Sequence, residues 1–252
     1  MVRILLHGCN GKMGRMITEI AKSDENVKIA AGVDTYTGIP NDYPVFDSVE
    51  KCNVDVEVAV DFSNAGAIDA LIDYCVEKKL PLVLCTTGLS EEQLGKITEA
   101  SKKIAVLKSA NMSLGINLLL KLLQDAAKVL APAGYDVELA ERHHNQKVDA
   151  PSGTALALAD SVNEALNNEY HYVYDRSRVR QKREKKEIGI SVVRGGTIVG
   201  EHEVIFAGTD EVIEFKHTAY SRSVFAKGAV EAGKFLAGRA PGMYDMGDVV
   251  GL

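Results

Sequence analysis

The chain reads as an α/β protein: a Rossmann-type doubly wound parallel sheet, then a second α+β domain containing a mixed or antiparallel sheet. Three observations predict this. Apolar runs alternate with amphipathic helices over the first hundred residues. A Gly8-Cys9-Asn10-Gly11-Lys12-Met13-Gly14 loop joins the first run to the first helix. After Ser113 the pattern changes, and strands follow one another with Gly-rich turns.

Taken in order, Val2–His7 is an apolar strand ending at Gly8, and Gly11–Lys22 is a helix with Met13, Met16, Ile17 and Ile20 on one side. Val27–Asp34 is the second strand. Thr35–Lys51 carries Pro and Gly and reads as loop, not as a crossover helix. Val54–Asp61 is a strand, Ala65–Lys78 a helix, Pro81–Cys85 a strand, Glu91–Lys102 a helix and Ile104–Ser109 a strand. Short links between alternating elements imply parallel pairing with right-handed crossovers. Leu114–Leu130 is a long helix with apolar residues all round, which predicts burial on every side. Asp136–Glu141 is a strand and Thr154–Leu166 a helix; Glu187–Val193, Ile198–Phe206 and Glu211–Lys216 are strands with hairpin-like spacing. Ser223–Leu236 is an amphipathic helix expected to return to the first domain. The predicted domains are 1–110 with 221–252, and 111–220.

The composition narrows the function classes. With 252 residues, 46% hydrophobic and 25% charged, the chain can bury a core without disulfide or metal staples and is not disordered. A net charge of −6 and a pI near 5.6 argue against a nucleic-acid partner. No apolar run reaches the roughly 18 residues of a spanning helix, and no secretory leader opens the sequence, so no membrane partner and a cytoplasmic location are expected. Cys9, Cys52, Cys75 and Cys85 show neither CxxC pairing nor metal spacing and read as reduced thiols. The basic run Arg176, Arg178, Arg180, Lys182, Arg183, Lys185, Lys186 has two readings, an anion funnel over a site or a solvated loop or edge. Charge runs usually just solvate, and the second is preferred.

Two stretches carry chemistry. In the first loop, Gly8 suits a tight turn, Gly11 lets backbone approach a pyrophosphate, and Gly14 allows close helix–strand packing. The helix N-terminus behind it offers N–H groups to phosphates. Asp34 ends the second strand twenty residues after Gly14, where a carboxylate can accept hydrogen bonds from an adenosine ribose. A nicotinamide dinucleotide is therefore expected. Asp34 followed by Thr35 disfavours a 2′-phosphate, while Lys12 is the nearby cation that could reach one, so NADH and/or NADPH remain open. The second stretch, Glu141-Arg142-His143-His144-Asn145-Gln146-Lys147-Val148-Asp149-Ala150-Pro151-Ser152-Gly153-Thr154-Ala155, brings two His and a Lys off a strand end beside another helix N-terminus. Adjacent His143 and His144 point to opposite sides of extended backbone and no third ligand is in view, so no metal is expected.

This second stretch closely resembles the hallmark E-x-H-H-x-x-K-x-D-A-P-S-G-T-A of the 4-hydroxy-tetrahydrodipicolinate (dihydrodipicolinate) reductases. Further resemblances run the length of the chain: the Gly8–Gly14 loop, Thr86-Thr87-Gly88, Ala110–Asn117, Arg194-Gly195-Gly196, Val199–His202, Ser221-Arg222, Phe225–Val230 and Gly242–Met246. The resemblance implies that His143 is the proton donor/acceptor and Lys147 the proton-donating lysine. It implies that His144, Gly153 and Thr154 hold the carboxylates of a small cyclic dicarboxylate substrate. Gly8, Cys9, Asn10, Gly11, Lys12, Met13, Asp34, Cys85, Thr86, Thr87, Ser109, Ala110, Asn111 and Met112 correspond to dinucleotide contacts. Cys85 stands where relatives commonly have Gly, and Met112 where many have Phe. The resemblance also implies a cytoplasmic homotetramer whose second-domain sheets pack together. Another amino-acid-pathway dehydrogenase of similar layout would explain the first loop but not His143–Thr154. A non-catalytic NAD(H)-binding redox sensor would have no need for His143 and Lys147 together.

Overall fold

Strands buried on both faces need near-continuous apolar sequence, and the central strands of the N-terminal half have it. The computed structural model describes residues 1–109, 111–174, 176–178 and 180–251. From the N-terminus the elements run β1 (Val2–His7), α1 (Lys12–Lys22), β2 (Val27–Val33), β3 (Val45–Phe46), β4 (Val58–Asp61), α2 (Ile68–Lys78), β5 (Leu82–Leu84), α3 (Glu91–Ser101), β6 (Ala105–Lys108) and α4 (Leu114–Leu130). They continue through β7 (Asp136–His143), α5 (Gly153–Ala165), β8 (His171–Val173), β9 (Glu187–Arg194), β10 (Gly200–Ala207), β11 (Val212–Ala219), α6 (Ser223–Leu236), β12 (Gly242–Tyr244) and α7 (Met246–Val250). The chain divides into two units, Met1–Leu114 with Ser223–Gly251, and Gly115–Arg222.

The first unit is a parallel sheet in the order β12-β6-β5-β4-β1-β2-β3. Alternation along β1 sends Ile4 and Leu6 to one face and Leu5 to the other, and each face is covered. On the first face Ile17 of α1 joins Ala229 and Val230 of α6; on the second, Leu71 and Ile72 of α2 join Ile97 of α3. Helices on both faces make the sheet doubly wound. The second unit is a mixed sheet in the order β11-β10-β7-β9-β8. Here β10 runs antiparallel to β7 and β11, whereas β9 runs parallel to β7 and β8. One face of this sheet is apolar, with Val137, Leu139, Ile188, Val204 and Phe206 packed against Leu123 of α4 and Leu158 and Val162 of α5.

Several expectations need correction. Thr35–Lys51 is not loop throughout: Val45 and Phe46 pair with Gly32 and Val33 as the edge strand β3. β8 and β12, three residues each, carry no sequence pattern of their own and gain strand character from the neighbours they pair with. The α4 helix is not buried on every side. It turns Ile116, Leu119, Leu123 and Ala127 inward but leaves Leu118, Leu122 and Val129 exposed, because it backs the sheet along one stripe only. The basic run is only in part the solvated edge preferred from the sequence. Arg180, Lys182 and Lys185 are exposed, but Arg176 bonds Glu187 at 2.6 Å and Glu138 at 3.1 Å. Arg183 donates to Glu138 and Asp136, both at 2.9 Å, and to the Val137 and Glu187 carbonyls. These two arginines fasten the segment to β7 and β9, since carboxylates on the strands compete successfully with water for them.

Candidate active site

In the first unit the Gly8 loop leaves β1 with its backbone held to β2: Gly8 N–H donates to the Val33 carbonyl at 2.8 Å. Gly8 adopts φ +79°, and a Cβ there would lie 2.5 Å from the Phe62 carbonyl oxygen. A Cβ on Gly14 would lie 2.2 Å from the Gly8 oxygen, so both positions require glycine. Gly11 caps α1 without a side-chain bond, and the first turn holds no acid, which leaves its N–H end suited to an anion. Asp34 is half-buried. Its carboxylate accepts from Asn10 N–H and Tyr36 N–H, each at 3.0 Å, which fixes it beside the loop. Lys12 and Thr35 are exposed.

A cavity of about 400 Å³ opens over this loop, lined by His7, Gly8, Gly11, Asp34, Thr35 and Asn64 among others. A second, of about 270 Å³, gathers Cys85, Thr86, Thr87 and Ser109. Thr86 Oγ1 is buried and has no partner among the described residues, an orphan that a bound ligand can satisfy. Burial and the nearby Asp61 carboxylate hold the Cys85 thiol well above the ordinary range, so it stays neutral. Met13 packs against the core and Met112 lies within it. Cys9 sits below the loop, its thiol pushed up to about 12 by burial and then by Asp34. The Asn111 carbonyl accepts from Ser109, and its side chain accepts from Ser113 N–H at 2.8 Å. Ala110 lies outside the described residues. The loop, the carboxylate and the two cavities fit a dinucleotide.

Sequence reasoning passed over His7, Asp61 and Ser63 here. Asp61 is fully buried at the end of β4, and its Oδ1 accepts from Ser63 Oγ at 2.6 Å and lies 2.8 Å from His7 Nδ1. The signal available was its place at the carboxyl end of a central strand, where ligands bind in open α/β sheets.

The second unit organises its site around Glu141, fully buried on β7. Strand alternation puts Glu141 and His143 on one face and Arg142 on the other, toward Glu201 and Glu203. His143 Nδ1 lies 2.5 Å from Glu141 Oε2. Arg194, at the end of β9, binds both Glu141 oxygens at 2.8 Å, and Ser152 N–H adds a bond to Oε1 at 3.0 Å. Burial pushes the Glu141 carboxyl up, but bonds from Arg194, His143 and Ser152 outweigh it and leave it below its usual range. His143 is drawn down by burial, against the upward pull of Glu141, with the charges of Lys147 and Arg194 adding to the decrease.

His202 stacks edge-on to His143 with centroids 5.1 Å apart, and its Nε2 lies 3.0 Å from Ser152 Oγ. Burial foremost, then the proximity of His143, lowers His202 to about 3, so it is a neutral imidazole. Ser152 caps α5, accepting from Ala155 N–H at 3.1 Å, and so aims the Gly153–Thr154 end of the helix. Lys147 Nζ pairs with Asp149 at 2.7 Å. His144 follows the strand end, and its Nδ1 is buried without a partner among the described residues. The structure thus gathers His143, His144, Lys147, Gly153 and Thr154 on one strand end, one turn and one helix start. It adds Glu141, Arg194, Ser152 and His202, which sat in the quoted motifs without an assigned role. Among the described residues one cluster has metal-ligand spacing, His171, Glu184 and Glu187, and there Arg176 already occupies the Glu187 carboxylate.

A doubly wound dinucleotide fold joined to a unit with a carboxylate-held histidine, a lysine and a helix N-terminus defines a nicotinamide-dinucleotide-dependent oxidoreductase. Residues 2–112 match the family described as "Dihydrodipicolinate reductase, N-terminus", and residues 115–250 match "Dihydrodipicolinate reductase, C-terminus". A 4-hydroxy-tetrahydrodipicolinate reductase of Clostridium tetani is 53% identical over 246 residues, covering 98% of this chain and 96% of the relative. The enzyme of the same name from Caldanaerobacter subterraneus subsp. tengcongensis is 50% identical over 250 residues, covering 99% and 98%. The fold is similar to that of dipicolinate-bound dihydrodipicolinate reductase from Paenisporosarcina sp. TG-14, with TM-score 0.82, 24% identity and 97% of each chain covered. The chain belongs to the dihydrodipicolinate reductase family.

Proposed function

We propose that the chain reduces 4-hydroxy-tetrahydrodipicolinate, with loss of water, to tetrahydrodipicolinate in the diaminopimelate route to lysine, using NADH or NADPH. The observation that carries this reading is the Glu141–His143 pair, locked by Arg194, beside Lys147 and the start of α5. The nicotinamide, when bound, supplies hydride to the conjugated imine. Gly8 to Met13 would hold the pyrophosphate and Asp34 the adenosine ribose, and Cys85, Thr86, Thr87, Ser109, Asn111 and Met112 would hold the nicotinamide end.

The residues of the second unit do the rest. His144, the Gly153 N–H and Thr154 hold the substrate's carboxylates, which fixes the ring relative to His143 and Lys147. Negative charge developing toward the ring nitrogen is balanced by the Lys147 ammonium. His143 delivers the proton from Nε2, because Glu141 occupies Nδ1 and stabilises the imidazolium. Gly200 leaves room at that atom: a Cβ there would lie 3.1 Å from His143 Nε2. Replacing His143 or Lys147 by Ala should lower kcat by about 100-fold or more, with NADH affinity unchanged. The assay follows loss of NADH absorbance with freshly generated substrate, and near-normal turnover in either variant would overturn the assignment.

The same reading includes a cytoplasmic homotetramer joined through the second-unit sheets. Support comes from the outer face of that sheet, where the strands keep side chains such as Val193 and Val212 exposed. Light scattering in solution tests it, and the mass of a single chain would contradict it.

A further inference from the structure

Asp149 has no part in the chemistry above, yet it sits on the groups assigned to the substrate. Its Oδ1 lies 2.7 Å from Lys147 Nζ. Lys147 above all holds Asp149 below the usual carboxylate range, with the backbone N–H groups of Asp149 itself and then Gly153, at the start of α5, adding less. Its main chain is pinned, because Arg194 Nη2 donates to the Asp149 carbonyl at 2.6 Å while gripping Glu141. Only the side chain is placed to swing away: it is 51% exposed, against 21% for Lys147. A substrate carboxylate arriving at Lys147 meets an anion already there, and two carboxylates cannot share that ammonium without repulsion.

We propose that Asp149 is a positioning residue that holds Lys147 between turnovers and is displaced by a carboxylate of the substrate. The proposal rests on the reading of Lys147 as a substrate-facing group. In the free enzyme Asp149 keeps the ammonium at the end of the flexible lysine stem directed toward α5. After reduction the product still carries two carboxylates, and the return of Asp149 competes with them and speeds release. Asp149 therefore raises KM and supports turnover.

The test is Asp149→Asn, which keeps the shape and hydrogen bonding but removes the competing charge. Calorimetry with pyridine-2,6-dicarboxylate, NADH present, should show binding tighter by about two- to fivefold, the range corresponding to exposed ion pairs. KM for the substrate should fall, and kcat should not rise. Asp149→Ala should also tighten the analogue, and a wild-type-like thermal unfolding transition shows that either variant is folded. Equal or weaker analogue binding in both variants, with that transition intact, overturns the proposal. Lys147→Ala separates the two layers. If that variant binds the analogue as well as wild type, the substrate-facing reading of Lys147 fails and the Asp149 proposal falls with it. If it weakens the analogue while the Asp149 variants do not tighten it, only the displacement proposal fails.

Discussion

Glu141→Gln isolates what the buried carboxylate does for His143. Glu141 is fully buried and 2.5 Å from His143 Nδ1. Among the influences on His143, burial, Lys147 and Arg194 all lower its pKa, and Glu141 alone raises it. Glutamine keeps the shape but removes the charge, and its NH2 end must face donors that Glu141 accepts from, so the charge-assisted bond to His143 is lost and every remaining influence acts downward. A hydrogen bond to a charged partner contributes about 1.5–3 kcal/mol. Its loss reduces the imidazolium fraction at neutral pH by roughly 10- to 100-fold. Proton delivery needs the protonated ring, so activity is present at low pH and lost as pH rises through the His143 pKa. In Glu141→Gln that loss should move to lower pH, and kcat near neutrality should fall by about the same 10- to 100-fold. The checks are kcat against pH, following NADH absorbance, and a histidine NMR titration. A wild-type-like thermal unfolding transition serves as the folding control. An unmoved pH limb with a rate within about twofold of wild type would refute the argument that Glu141 holds the proton on His143.

Two further outcomes follow from the geometry. His202 is neutral in the folded protein, lowered to about 3 from 6.5, so between those values the unfolded chain binds more protons and stability rises with pH. His202→Gln should flatten this dependence by up to about 1.4 kcal/mol per pH unit relative to wild type, read from urea unfolding at a series of pH values, and identical slopes would contradict it. Asp34, already fixed by two backbone N–H groups, should make NADH at least as good a coenzyme as NADPH, and Lys12→Ala should cut kcat/KM for NADPH selectively. A strong NADPH preference that survives Lys12→Ala would show that another residue reads the 2′-phosphate.

The limits of sequence reasoning follow from where partners come from. The Gly8 loop was legible because its constraints are local: a turn, a close approach at Gly14 and a helix start within seven residues. The long strands and helices were legible by their periods, whereas Val45–Phe46 is a strand only because Gly32 and Val33 lie beside it. In the second unit the sequence reads as strand only to Glu141, two residues short of His143, with which Glu141 shares a face of β7. What it could not supply was the identity of the groups waiting there. β7 is the central strand, and its two registers bring Arg194 opposite His143 from β9 and His202 opposite Glu141 from β10. Arg194 lies 53 residues along the chain from Glu141, so no local pattern links them. A buried carboxylate cannot stay ionised without such partners. The proton on His143 therefore depends on strand registers that the hallmark stretch alone does not contain.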